Sequence, residues 1–78
     1  MTSDIFNACS FKQKTELILE GTILADRLTD MYYVRLYNLH RFYVEVFFDD
    51  HTHIITHFRA FEHTLFVLPY LEDVKIAV

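Results

Sequence analysis

From Thr22 onward, apolar and polar positions alternate in four runs, "TILADRL", "YYVRLYNL", "FYVEVFF" and "IITHFRAF". Each run is rich in β-branched and aromatic residues and has the usual strand length of about 5–8 residues. Thr29–Asp30, Leu39–Arg41 and "DDHTH" (Asp49–His53) interrupt them. Connections this short join antiparallel neighbours, because parallel strands need long crossovers. The pattern predicts a four-stranded antiparallel meander.

Both flanks follow another pattern. "FKQKTELILE" (Phe11–Glu20) places Phe11, Ile18 and Leu19 near one helical face, with Ser10 as N-cap and Gly21 at the C-terminal stop. Leu17 and Leu19 also alternate with polar neighbours as a strand from Thr15 would, and helix is the preferred reading. The first residues are expected to fray or to form a short turn around Ile5 and Phe6. In the closing "EHTLFVLPYLEDVKIAV", Pro69 suits the first turn of a helix through Tyr70, Leu71 and Val74. The expected fold is α+β: one domain over residues 1–78, with an N-terminal and a C-terminal helix packed on one face of the meander.

Side-chain parity assigns the faces. Val34, Leu36, Phe42, Val44, Val46, Phe48, Ile54, Phe58 and Ala60 form an apolar face for the helices. Tyr33, Arg35, Tyr37, Tyr43, Glu45, Phe47, Ile55, His57, Arg59 and Phe61 fall on the other. A three-residue loop pairing Asn38 with Phe42 sets Arg35 opposite Glu45. Pairing Phe48 with Ile54 sets Glu45 opposite His57 and Tyr43 beside Arg59. The result is a transverse row, Arg35–Glu45–His57, among aromatic rings, with Glu45 paired and partly desolvated.

Composition adds one expectation. The chain is 53% hydrophobic and 17% aromatic in 78 residues, and so short a chain buries only about 60–65% of its unfolded surface. Exposed apolar surface marks interfaces, so a homodimer or a protein partner is expected, bound through Tyr33, Tyr37, Tyr43, Phe47 and Phe61. The net charge of −4 and scattered Lys and Arg disfavour nucleic acid, which selects basic faces. A lone Cys9 gives no disulfide framework. No run approaches the ~20 apolar residues of a membrane span, and the start lacks a signal-peptide pattern. A cytoplasmic location with no membrane association is expected.

Three groups of residues could carry chemistry. The row is most simply a cross-strand charge ladder, worth about 0.2–1 kcal/mol per pair. As a catalytic face it would use His57 as general acid beside Glu45, with Arg35 or Arg59 steadying an anion. That reading resembles small bacterial ribonuclease toxins, whose basic substrate surfaces this acidic chain lacks. In "DDHTHIITH", Asp49, Asp50, His51, His53 and His57 are possible metal ligands, with His51 and His53 the candidates. Same-parity strand positions lie about 6.5–7 Å apart and His53 and His57 about twice that, so the three His cannot all converge on zinc unless the loop folds back. Cys9 has no CxxC partner and reads as a packing residue. No cofactor is expected.

The strings "FYVEVFFD", "RAFEH" and "LPYLEDV" resemble a group of short uncharacterised bacterial α+β proteins with an "FYVEV…PYLE" pattern. The resemblance covers Thr15 to Val74. It implies a compact α+β unit in the bacterial cytoplasm and brings no known activity with it.

Overall fold

The computed structural model of the chain describes residues 1–62. Two helices, α1 (Ser3–Ala8) and α2 (Phe11–Ile18), precede strands β1 (Thr22–Leu28), β2 (Tyr32–Asn38), β3 (Tyr43–Asp49) and β4 (Ile55–Phe61). The strands form one antiparallel sheet in the order β1-β2-β3-β4. The fold is α+β with a meander sheet, as the alternation predicts. The helix expected around Pro69–Val74 lies outside the described residues.

Helix α1 replaces the expected turn. Six residues are too few to hold a helix in water, so tertiary contacts must hold this one. Phe6 is completely buried, with its ring 5.7 Å from Phe42 and 6.1 Å from Phe58. Thr2 caps the helix through its side-chain oxygen, which accepts from the Ile5 amide. The Ser3 hydroxyl donates to the Glu62 carboxylate at 2.9 Å and joins the chain start to the end of β4.

Helix α2 begins where the sequence places it. Ser10 Oγ accepts from the Gln13 amide, and Gln13 Oε1 accepts from the Ser10 amide, a reciprocal capping box. Lys14 lies over the Phe6 and Phe58 rings at 5.8 and 5.9 Å. Gly21 serves closeness and not left-handed geometry, since no glycine has positive φ. A Cβ there would stand 3.0 Å from the Asn38 carbonyl oxygen and 3.1 Å from Leu39 Cδ2. The helix is thereby seated against the end of β2.

The helix-side core joins Phe6 and Ile18 to Phe42, Val44 and Val46, with Phe48, Ile55, Phe58 and Ala60 around it. These β3 and β4 residues lie on the expected side, except that Ile55 replaces Ile54. Strand β2 is reversed. The β2–β3 loop runs Leu39–Phe42, one residue longer than expected, and Asn38 pairs with Tyr43. His40 takes the left-handed conformation (φ 68) within it, while the Leu39 amide donates to the Phe42 carbonyl at 2.9 Å. A one-residue slip turns every side chain of a strand over. Val34 and Leu36 therefore leave the helix side, and Tyr33, Arg35 and Tyr37 join it.

Strand β4 slips by two residues in all. Phe48 pairs with Ile55 and Phe47 with His57, so Thr56 is the extra residue of a bulge. A β3–β4 loop one residue longer than expected brings Ile55 to the helix side, and the bulge adds the second residue, so that His57, Arg59 and Phe61 keep the face that parity assigns. Ile54 ends exposed beside the loop.

Phe6→Ala should cost about 3–5 kcal/mol in urea unfolding, the usual range for an emptied buried aromatic site. Ser10→Ala should cost about 1 kcal/mol. Near-equal losses would contradict the anchoring role of Phe6.

Candidate functional site

The face turned away from the helices carries a polar cluster built around Glu45. Strand β2 contributes Val34 and Leu36, both completely buried, and Leu36 lies directly beside Glu45. Glu45 itself is 1% exposed. A carboxylate in such a position must be paired. Arg27 Nη2 lies 3.2 Å from Oε2, and Arg59 Nη1 lies 3.3 Å from Oε1. Arg59 is the direct cross-strand neighbour of Glu45. Arg27 starts on β1 and reaches across β2, about 10 Å at usual strand spacing, over the Val34–Leu36 surface.

Glu45 is thus paired, as the sequence reading requires, but its partners differ. Arg35 and Glu45 are not opposite: Arg35 faces Val46 from the other side of the sheet. His57 faces Phe47 and not Glu45. Tyr43 faces Phe61 and not Arg59. The longer β2–β3 loop, a β3–β4 loop also one residue longer than expected, and the β4 bulge cause these three corrections. Arg27 was missed because it lies two strands from Glu45, whereas cross-strand reasoning considers adjacent strands. The signal available was an arginine, long enough to span a strand, in the strand next to small and branched side chains.

Aromatic stacks flank the cluster at both ends. Tyr43 and Phe61 stack at 5.7 Å, with the Arg59 guanidinium 5.5 Å from the Phe61 ring centre. On the other side, Phe47 and His57 stack at 4.1 Å and 15°, with Tyr32 edge-on to both. The Thr56 hydroxyl donates to the Phe47 carbonyl, which leaves its oxygen to accept from His57 Nδ1–H at 2.8 Å. This local bond fixes the imidazole against Phe47 and is a product of the bulge.

The helix side of β1 and β2 holds a second polar group. Arg35 donates to Asp26 through Nε at 2.9 Å and Nη2 at 3.5 Å, and to the Tyr33 hydroxyl at 3.2 Å. The hydrogen bond from Arg35 holds the Asp26 carboxyl below its ordinary value, and the same bond raises Arg35. Asp26, Arg27, Leu28 and Tyr33 line a shallow depression here.

The five expected aromatic contacts therefore divide between two faces. Tyr33 and Tyr37 lie with Arg35 on the helix side. Tyr43, Phe47 and Phe61 lie with Glu45, His57 and Arg59 on the other, where Phe61 is buried. The four catalytic candidates are likewise not assembled, since Arg35 is across the sheet. Glu45, dry and held by two guanidiniums, has no open side from which to take a substrate proton.

The loop histidines serve backbone geometry. Asp49 Oδ1 accepts from the His51 and Thr52 amides at 2.8 and 2.9 Å. These bonds, that of Thr52 first, draw the Asp49 carboxyl below its ordinary value. His53 adopts φ 62 to close the turn. Among the described residues, no three His, Cys, Asp or Glu side chains are grouped to hold a metal. Nor is any described helix long and apolar enough to cross a membrane.

No protein-family model, curated protein or solved structure matches the chain.

Glu45→Gln should destabilise the fold by about 1–3 kcal/mol, because hydrogen bonds to a charged group are weakened. Glu45→Ala should cost at least as much, because it removes the buried carboxylate that Arg27 and Arg59 both contact. Urea unfolding measures both, and a neutral Glu45→Ala would contradict the clamp.

Asp26 gives a pH signature. A depressed carboxylate contributes stability above its unfolded value, near about 3.9, and loses it as pH falls through the lower folded value. The stability difference between wild type and Asp26→Asn should be constant from about pH 5 upward and shrink in acid. A gap that widens in acid would contradict the Arg35–Asp26 pairing.

Proposed function

We propose that this protein is a small protein-interaction module that self-associates through the β1–β2 side of its sheet. The observation that carries this reading is the exposure of large apolar side chains there. Leu28 is 70% exposed, Met31 68%, Ile23 51% and Leu24 46%. Single exposed apolar residues are ordinary. Four along one strand and the turn that follows it are the kind of patch that marks an interface.

The neighbouring polar residues suit the same role. Tyr33, Arg35 and Tyr37 form a partly exposed stripe along β2, and tyrosine and arginine are the residue types that dominate interface energetics. Asp26 already neutralises Arg35, so the stripe offers planar, hydrogen-bonding surface without an unpaired charge to desolvate. That favours protein over phosphate as the contacting chemistry. The opposite face supports the same choice of side: Tyr43, Phe47 and Phe61 are engaged with Arg59, His57 and one another.

Sedimentation velocity tests the reading. Wild type should show a sedimentation coefficient that rises across the micromolar range. Leu28→Asp combined with Met31→Asp, at positions too exposed to disturb folding, should weaken association at least tenfold. A wild-type monomer at every concentration would contradict it.

A further inference from the structure

Among the described residues β1 and β4 are the edges of the sheet, and they differ. An edge strand presents unpaired backbone donors and acceptors, and proteins usually blunt it with charge, proline or bulges. Strand β4 is blunted: it carries the Thr56 bulge and exposed polar Thr56 and His57. Strand β1 has one such device, a register irregularity at Leu24. Its two charged residues do not guard the edge. Asp26 is bound to Arg35 and Arg27 to Glu45, both drawn inward over the sheet. What remains along β1 is Ile23, Leu24 and Leu28, all exposed. Among the described residues, no strand lies on its outer side.

We propose that β1 pairs antiparallel with β1 of a second copy of this chain, joining two four-stranded sheets into one of eight strands. The inference rests on the self-association reading and specifies its geometry. A second copy fits because the edge is self-complementary about a two-fold axis normal to the sheet, centred at Asp26. This axis sets Leu24 of each copy opposite Leu28 of the other, and Ala25 opposite Arg27. Each pair then shares a face, as the pleat requires. The two facing Asp26 carboxylates are each held by their own Arg35. Small Ala25 leaves room for the arginine stem. Because β4 is polar and bulged, head-to-tail β1–β4 growth is disfavoured, and the assembly closes as an isologous dimer. Both copies keep their helices on the same side of the joined sheet.

Two measurements on the full chain test this. The first is hydrogen exchange of the Leu24–Leu28 amides above and below the association midpoint. Amides of this stretch that face outward should exchange at least tenfold more slowly in the dimer. The second is a Leu24→Cys, Leu28→Cys variant in a Cys9→Ser background. Positions 24 and 28 of one strand lie about 13 Å apart, beyond the ~7 Å that a disulfide can bridge. Mild oxidation should therefore yield covalent dimer and no internal disulfide. A sedimenting dimer with unprotected β1 amides and no cross-link would overturn the edge pairing while leaving self-association standing. A monomer with unprotected β1 at every concentration would overturn both, and would leave the edge to a foreign extended strand.

Discussion

The register between β2 and β3 governs everything else in this sheet. It is set by the Leu39–Phe42 loop, in which His40 adopts a left-handed conformation. Phe42 is held in the helix-side core by Phe6, so the loop cannot shorten without withdrawing a buried ring. With β3 fixed in this way, β2 must place Val34 and Leu36 beside Glu45 and turn Arg35 toward Asp26. Each charged group then meets an opposite charge on its own face: Glu45 with Arg27 and Arg59, Asp26 with Arg35. A slip by one residue would put Arg35 beside Glu45, turn Val34 and Leu36 to the helix side and, with the β1–β2 register kept, carry Arg27 away from Glu45.

Buried charge in this protein acts as a register device. Side chains of Val, Leu and Phe tolerate neighbours of similar size, so apolar packing alone distinguishes adjacent registers weakly. A carboxylate at 1% exposure distinguishes them strongly, because an unpaired one costs several kcal/mol. Arg27 has the further effect of tying β1 to β3 across an intervening strand. The consequence for the surface is that both charges of β1 are committed inward. Its outer edge is left with the apolar side chains Ile23, Leu24 and Leu28.

Much of this fold was legible in the chain. The four alternating runs, the Ser10 cap and the need for Glu45 to be paired all follow from local chemistry. The extent of β1 was read correctly, and the helix-side residues of β3 followed from parity. What failed was register, and it failed at three places where a backbone choice is not encoded in polarity. The His40 loop and the β3–β4 loop at His53 each use positive φ at a residue other than glycine and run one residue longer than expected, and the Thr56 bulge adds one more residue without a glycine or proline to mark it. Because strand parity has period two, the first error reversed a whole strand, whereas the net two-residue shift in β4 preserved its faces. Helix α1 was illegible for another reason: its stability lies in Phe6 contacts more than fifty positions away at Phe58, not in its own six residues.

The most direct test of this account is a pair of double-mutant cycles on folding stability. One removes Glu45 and Arg59, singly and together; the other removes Glu45 and Arg35. The register described here predicts a coupling energy of about 1–3 kcal/mol for Glu45–Arg59, as expected for contacting residues, and less than about 0.5 kcal/mol for Glu45–Arg35, which lie on opposite faces. Strong coupling between Glu45 and Arg35, with none between Glu45 and Arg59, would contradict it.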